Sequence, residues 1–348
     1  MLDDINVLAQ RDPGGALKIA GNQYKQAEFK VDIQYGENDA RKIDSIVVAG
    51  MGGSALAALL VNTWLKTELD IPFEVVRTYN LPAYVGKNTL VIASSYSGNT
   101  EETLSCLAQA KTAGSQIAII AAAGKLEEDA RKDHMAFVSL PGGIQPRMAM
   151  IYNLCALVAL FENFGVIKPG RLDEIAKTSS WLKSEVDKWA GEVPTGDNYA
   201  KQLAMLSVGK SAEFFGGTLT APLAYKWKIS WNENAKNVAF WNEYPEMNHN
   251  EFMGWTSHPI EKPFVIFDIV SNLEHPQILK RFEVSDRLLS GMRPKSTVIK
   301  LAGQTLIEQM LWGCILADFV SIYLAILNGV NPIPVQLIEK LKLELADN

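Results

Sequence analysis

The chain has 348 residues, of which 48% are hydrophobic and 21% charged, the balance of a globular protein with a large core and enough length for two ordinary domains. Lys and Arg number 33 against 39 Asp and Glu, a net charge of −6, which argues against nucleic acid as a partner while leaving room for a small anionic ligand. Three scattered cysteines, Cys106, Cys155 and Cys314, give no disulfide framework and no Cys-x-x-Cys metal pattern, and fit a reduced, cytoplasmic setting.

Residues 1–40 are polar and read as an irregular or helical arm, and Met1-Leu2-Asp3-Asp4 does not open a signal peptide. From there strands and helices alternate. Strands are predicted over 43–49, 73–77, 89–93, 116–121 and 136–140, with helices over 54–65, 101–113 and 147–164. This first domain, 41–165, is followed by a helical linker over 166–197. The linker carries a charged helix near 171–190 and ends in Gly191-Glu192-Val193-Pro194-Thr195-Gly196-Asp197. A second α/β run over 198–348 is predicted to hold strands at 204–208, 264–270 and 297–301. Its helices are expected at 219–231, 274–290, 306–327 and 334–345. The apolar stretches near 148–161 and 310–327 are broken by Asn153 and Asp318 and read as buried helices rather than membrane spans. The pattern is that of an α/β protein with parallel sheets flanked by helices.

Two strand–helix junctions carry chemistry. Gly50-Met51-Gly52-Gly53-Ser54-Ala55 lets a ligand's oxygens approach backbone N–H groups at a helix start. It also fits the dinucleotide pattern Gly-x-Gly-x-x-Ala, but the next strand ends in Arg77-Thr78-Tyr79 without the acid that would hold a ribose. Ser95-Tyr96-Ser97-Gly98-Asn99-Thr100-Glu101-Glu102 places three hydroxyls around one glycine at another helix start, a ready phosphate cradle. Its plainer reading is an N-cap by Asn99 with Glu102 three residues on. Two such loops at the carboxyl ends of neighbouring strands converge on one crevice. A third loop, Pro141-Gly142-Gly143-Ile144-Gln145-Pro146-Arg147, sets Arg147 at a helix start, where the dipole disfavours a cation unless it faces an anion.

The acid/base candidates lie further on. Asn232-Glu233-Asn234-Ala235-Lys236 ends a helix, and Asn248-His249-Asn250-Glu251 follows it. Of four histidines, His258 and His275 precede prolines and His134 sits in a charged turn. His249 alone occupies an otherwise unexplained polar cluster, and with Glu233 it makes an acid/base pair.

Together these segments resemble the bifunctional phosphoglucose/phosphomannose isomerases, members of the SIS-fold sugar isomerases, over roughly residues 40–345. The carriers are Gly50 to Ser54, Ser95 to Glu102, Gln145-Pro146-Arg147, Asn232-Glu233-Asn234, Asn248-His249-Asn250 and the stretch from Pro334 to Lys342. The resemblance implies two SIS-type subdomains of flavodoxin-like three-layer form, and a homodimer. It implies that Gly53, Ser54, Ser95, Ser97 and Thr100 bind a sugar phosphate, with Arg147 near the reacting carbons. Glu233 would shuttle a proton between C1 and C2. His249, contributed by the partner subunit, would open the ring, and Lys342 (with Lys340 close by) would assist. The chain departs from the family in Ala57-Ala58, where a glycine pair is often found. It also departs in Asn331-Pro332-Ile333-Pro334-Val335, where Asp-Pro-Thr-Pro-Val is usual near the sugar end of the site.

The expected reaction interconverts fructose 6-phosphate with glucose 6-phosphate and mannose 6-phosphate through a cis-enediol. It calls on no redox cofactor or metal, and on no nucleic-acid or membrane partner. Phosphate binding would hold C1 and C2 against Glu233, whose carboxyl needs a raised pKa to serve as base. Three other readings compete: a non-catalytic sugar-phosphate-binding regulator, a nicotinamide-dependent oxidoreductase built on Gly50, Gly52 and Ala55, and a hexosamine synthase. The last requires a glutaminase domain with an N-terminal cysteine, and position 2 is Leu.

Overall fold

The computed structural model describes residues 1–37, 39–257 and 262–346; His258 lies outside them. The chain opens with α1 (Ile5–Arg11) and α2 (Ala16–Gly21), and continues through a 3-10 turn at Gln23–Glu28 to β1 (Ile33–Gln34). Then follow β2 (Ser45–Gly50), α3 (Gly52–Trp64), β3 (Phe73–Val76), β4 (Thr89–Ser94), α4 (Glu101–Thr112), β5 (Gln116–Ala121), α5 (Lys125–Asp133), β6 (Ala136–Ser139) and α6 (Met150–Asn163). α7 (Arg171–Lys177) and α8 (Ser179–Val186) lead to α9 (Tyr199–Leu206), β7 (Ser211–Gly216), α10 (Ala221–Glu233) and β8 (Ala239–Glu243). The chain finishes with α11 (Glu251–Gly254), β9 (Phe264–Val270), α12 (Pro276–Leu288), β10 (Thr297–Lys300), α13 (Leu306–Asn328) and α14 (Gln336–Ala346). Two compact units result. An N-terminal sheet unit comprises Asn22–Lys183 with Gly303–Leu311. A C-terminal sheet unit comprises Met1–Gly21, Ser184–Ala302 and Trp312–Asn348.

The N-terminal sheet has the order β1-β6-β5-β4-β2-β3, parallel throughout except for β1, which pairs antiparallel with β6. This edge strand is the one departure from the all-parallel sheet expected. β2 and β4 are buried along their whole length, as strands covered on both faces must be, and so read as unbroken apolar runs. α4 sets Leu107 with Ala93 and Ile119, and Cys106 and Ala110 with Val47 and Val91.

The C-terminal sheet has the order β10-β9-β7-β8, with every pairing parallel. With the antiparallel β1 set aside, both sheets repeat one winding in chain order: the second parallel strand lies outside the first, and the third pairs on the first strand's other side. Adjacent residues of β7 point to opposite faces. Phe214 meets Trp231 of α10 edge to face at 5.0 Å, whereas Phe215 joins Tyr244, Met247, Trp255 and Phe282 in a separate cluster.

Three expectations need correction. Residues 204–208, read as a strand, close helix α9 instead. The Asn198 carboxamide accepts from the Lys201 N–H at 3.0 Å, and Ala200, Leu203 and Ala204 bury at helical spacing, while the strand begins at Ser211. The helix read over 147–164 starts at Met150, after a 3-10 turn at Pro146–Met148. The charged helix near 171–190 breaks into α7, α8 and a 3-10 turn at Asp187–Trp189. α13 is long and apolar enough to cross a membrane, and 94% of its most apolar window is buried within the protein.

Candidate active site

In the N-terminal sheet the winding reverses between β2 and β4, so the loops after these strands diverge around a crevice at their carboxyl ends. The two loops are Gly50–Gly53 and Ser95–Thr100. A Cβ on Gly50 would stand 2.8 Å from the Ser94 carbonyl oxygen, so only glycine allows this approach. Ser54 and Ser95 are buried, Thr100 half-buried and Ser97 exposed. The Ser95 hydroxyl lies 2.7 Å from that of Thr100 and 3.4 Å from that of Ser97, so the three hydroxyls form one cluster.

Neither α3 nor α4 has a side chain capping its N-terminus. The cap expected from Asn99 goes elsewhere. Its carboxamide oxygen accepts from the Lys125 N–H of α5 at 2.9 Å, because Gly98, at φ +71°, turns the loop against Ala123 and Gly124. Two helix N-termini without side-chain caps and a hydroxyl cluster make a polar, positively biased surface suited to a dianion.

The loop after β6 joins this site. The Tyr96 hydroxyl donates to the Pro141 carbonyl at 2.8 Å, and Gly53 packs so close to the next turn that a Cβ would stand 2.9 Å from the Pro146 carbonyl oxygen. Arg147 follows directly and is buried, and its guanidinium donates to the Gln145 side chain at 3.2 Å. The buried Gln26 carboxamide clamps the turn, donating to the Met148 carbonyl at 2.7 Å and accepting from the Tyr152 N–H at 3.3 Å. Gly53, Ser54, Ser95, Ser97, Thr100 and Arg147 thus all lie on loops and first helical turns that follow the carboxyl ends of the strands of one sheet. Tyr96 and Gln26, which hold two of those loops, carried no sequence signal beyond their residue type.

The corresponding reversal in the C-terminal sheet, between β7 and β9, is filled by the protein itself. The Glu274 carboxylate accepts from the Leu219 N–H at 2.7 Å, ahead of α10, and is packed so tightly that a Cβ on Gly217 would stand 2.4 Å from it. Burial raises the Glu274 pKa, opposed by the N–H groups of Leu219, Thr220 and Thr218. One of the two switch points therefore presents helix starts without side-chain caps, and the other is filled by a carboxyl group of the protein itself.

Glu233 is the last residue of α10 and lines a groove of about 780 Å³ with Asn232, Lys236, Val238, Asn331 and Val335. Lys236, at φ +51°, donates to the Glu233 carbonyl at 2.5 Å and to the Pro332 carbonyl at 3.1 Å, joining the helix end to the 331–335 loop. His249 closes a 3-10 turn at Glu246–His249 and is exposed. Lys342 and Lys340 are exposed on α14, and Lys340 pairs with Glu344. Neither these lysines nor His249 lines the groove.

Topology gives the reason for His249. α10 starts at the carboxyl end of β7 and ends by delivering the chain to the amino end of β8. β8 then runs parallel to β7 and carries the chain back, so Glu233 and His249 stand at the amino and carboxyl ends of β8, separated by the length of a five-residue strand, roughly 16 Å. The structure therefore does not make an acid/base pair of Glu233 and His249 within one chain. Among the described residues no group of three or more His, Cys, Asp and Glu side chains gathers as a metal site would require.

Residues 40–162 match the SIS domain, and residues 196–345 match the bacterial phospho-glucose isomerase C-terminal SIS domain. The chain is 38% identical over 313 residues to a bifunctional phosphoglucose/phosphomannose isomerase of Caldicellulosiruptor bescii, covering 88% of this chain and 91% of that protein. It is 32% identical over 329 residues to the protein of the same name from Aquifex aeolicus, covering 94% and 97%. Among solved structures, a hypothetical protein of Thermus thermophilus superposes with a TM-score of 0.71 at 14% identity, over 99% of this chain and 93% of the other, a likeness of fold. Sequence likeness at this level, along nearly the whole length of both relatives, places the chain in the bifunctional phosphoglucose/phosphomannose isomerase family of SIS-fold proteins.

Proposed function

We propose that the protein is an aldose–ketose isomerase that interconverts fructose 6-phosphate with glucose 6-phosphate and mannose 6-phosphate. The observation that carries this reading is the cradle of Ser95, Ser97 and Thr100 between two uncapped helix N-termini, closed by the turn that bears Arg147. Donors of this number suit a terminal phosphate dianion, and the binding energy of that remote group can be used to orient C1 and C2.

From the aldose side, the Glu233 carboxylate removes the C2 proton. The C1–C2 double bond forms, and the C1 carbonyl oxygen takes up negative charge, which the Arg147 guanidinium stabilises before that oxygen is protonated. Glu233 then returns its proton to C1 as the C2 hydroxyl loses its own, which leaves the C2 ketone. In reverse, protonation of C2 on one face or the other gives glucose or mannose 6-phosphate. His249 opens the sugar ring, assisted by Lys342. Separation of His249 from Glu233 within a chain supports a homodimer in which His249 of the partner subunit serves the site.

The test is a coupled assay of the purified protein on fructose 6-phosphate, with both aldose phosphates measured. Formation of both glucose 6-phosphate and mannose 6-phosphate is expected. Binding of the ketose phosphate without turnover would instead indicate a sugar-phosphate-binding regulator.

A further inference from the structure

His249 is exposed, yet the backbone on either side of it is held tightly. Two residues before it, Met247 is fully buried in the cluster of Phe215, Tyr244, Trp255 and Phe282. One residue after it, Asn250 donates to the Glu246 carboxylate at 2.7 Å and accepts from the Glu251 N–H at 2.6 Å, bridging the turn. Glu251 in turn accepts from Asn242 at 2.8 Å and from the Trp255 indole at 3.0 Å.

The remaining neighbour, Asn248, reaches across to α12. Its amide nitrogen donates to the Ser285 hydroxyl at 2.8 Å, and its oxygen accepts from Arg281 at 3.0 Å. Arg281 and Ser285 are one helical turn apart on the same face, so α12 presents a matched acceptor and donor to the two ends of one carboxamide. An exposed loop residue needs no such clamp for solubility. The clamp instead removes freedom from the backbone that aims an imidazole outward.

We propose that Asn248, seated between Arg281 and Ser285, is a positioning residue that fixes the direction of the His249 imidazole. The inference rests on the reading of His249 as the ring-opening group. It predicts that Asn248 acts on the reaction through His249 alone, because the Asn248 side chain is already committed to α12.

A double-mutant cycle in the full-length protein tests this. Asn248→Ala should lower kcat on fructose 6-phosphate by roughly 10- to 100-fold, as a small misplacement of a reacting group does, with KM little changed. Asn248→Asp, which can still accept from Arg281 and Ser285, should recover most of the rate. In a His249→Ala background, Asn248→Ala should cost nothing further. A loss of the same factor in that background, or an unimpaired Asn248→Ala enzyme, overturns the proposal. Because the chain has only four histidines, NMR of the imidazoles gives a second readout independent of turnover. Asn248→Ala should move the His249 resonances and leave the others in place, and unmoved His249 resonances also overturn it. Full activity of His249→Ala defeats the ring-opening reading itself, a result distinct from any of these.

Discussion

Gly98 is the point at which the hydroxyl-rich loop depends most sharply on one backbone position. Its φ of +71° costs an L-residue roughly 1–2 kcal/mol. A Cβ there would also stand 1.7 Å from the Ala123 carbonyl oxygen, so Gly98→Ala must drive the two loops apart by more than an ångström. That movement breaks the Leu126 N–H to Gly98 carbonyl and Ala122 N–H to Tyr96 carbonyl bonds, both 3.0 Å, each contributing about 1 kcal/mol. The combined loss is on the order of 3–4 kcal/mol. At roughly 2–4 °C per kcal/mol for a unit of this size, Tm should fall by about 10 °C. Because the Ser95 and Ser97 hydroxyls ride on the displaced loop, KM for fructose 6-phosphate should rise as well. Gly52→Ala is the matched control: its φ is +51° but nothing lies within 4 Å of the added Cβ, leaving only the conformational cost of about 1 kcal/mol. Thermal melts and Michaelis kinetics of the two variants decide the matter. Equal, mild effects would refute the argument that loop-to-loop contact, rather than backbone conformation alone, shapes the cradle.

Ser95→Ala removes the hydroxyl central to the cluster and should raise KM for fructose 6-phosphate by roughly 10-fold or more, as loss of a hydrogen bond to a charged group does, with Tm changed little. In the C-terminal sheet, burial beside Glu251 pushes the Glu213 carboxyl up to about 8 despite Arg293. The folded state therefore keeps a proton that the unfolded state releases near pH 4.5, so this group's contribution to stability is lost as pH rises from about 4.5 to 8. Between pH 5 and 8 the wild-type Tm should fall more steeply than that of Glu213→Gln, and parallel curves would contradict the assignment. Glu274→Ala leaves the half-buried Leu219 N–H without its acceptor and should lower stability by about 1 kcal/mol in chemical denaturation.

The sequence made most of this architecture readable where one physical signal dominated. The apolar runs of β2 and β4 stand out because both faces of those strands are buried, and their ends are marked by Gly50 and by Ser94-Ser95. β8 has no such run: in Ala239-Phe240-Trp241-Asn242-Glu243 at the sheet edge, only Ala239 is buried. α5 shows only Leu126 and Ala130 as apolar positions among charged ones, too few to mark a helix by periodicity. Residues 204–208 misled because Ala-Met-Leu-Ser-Val is apolar in either conformation, and the Asn198 cap that decides for helix lies six residues upstream.

The phosphate loops were legible as motifs because a local turn must hold the donors. The roles of Gly98 and Asn99 in meeting the following helix were not, since the partner is a backbone segment some 25 residues away. Sequence proximity also paired Glu233 with His249, whereas the parallel crossover between them puts the length of a strand in between. That distance becomes visible only once β8 is known.

The central claim is that Glu233 carries the proton between C1 and C2. The most direct test is isomerisation of fructose 6-phosphate in deuterium oxide by wild type and Glu233→Gln, with deuterium at C2 of the aldose and at C1 of the recovered ketose measured together with ketose binding. Wild type should place deuterium at both carbons. Glu233→Gln should still bind fructose 6-phosphate while losing turnover and exchange together by roughly 100-fold or more. A variant that binds the ketose and still exchanges its C1 proton at the wild-type rate would show that another group is the base.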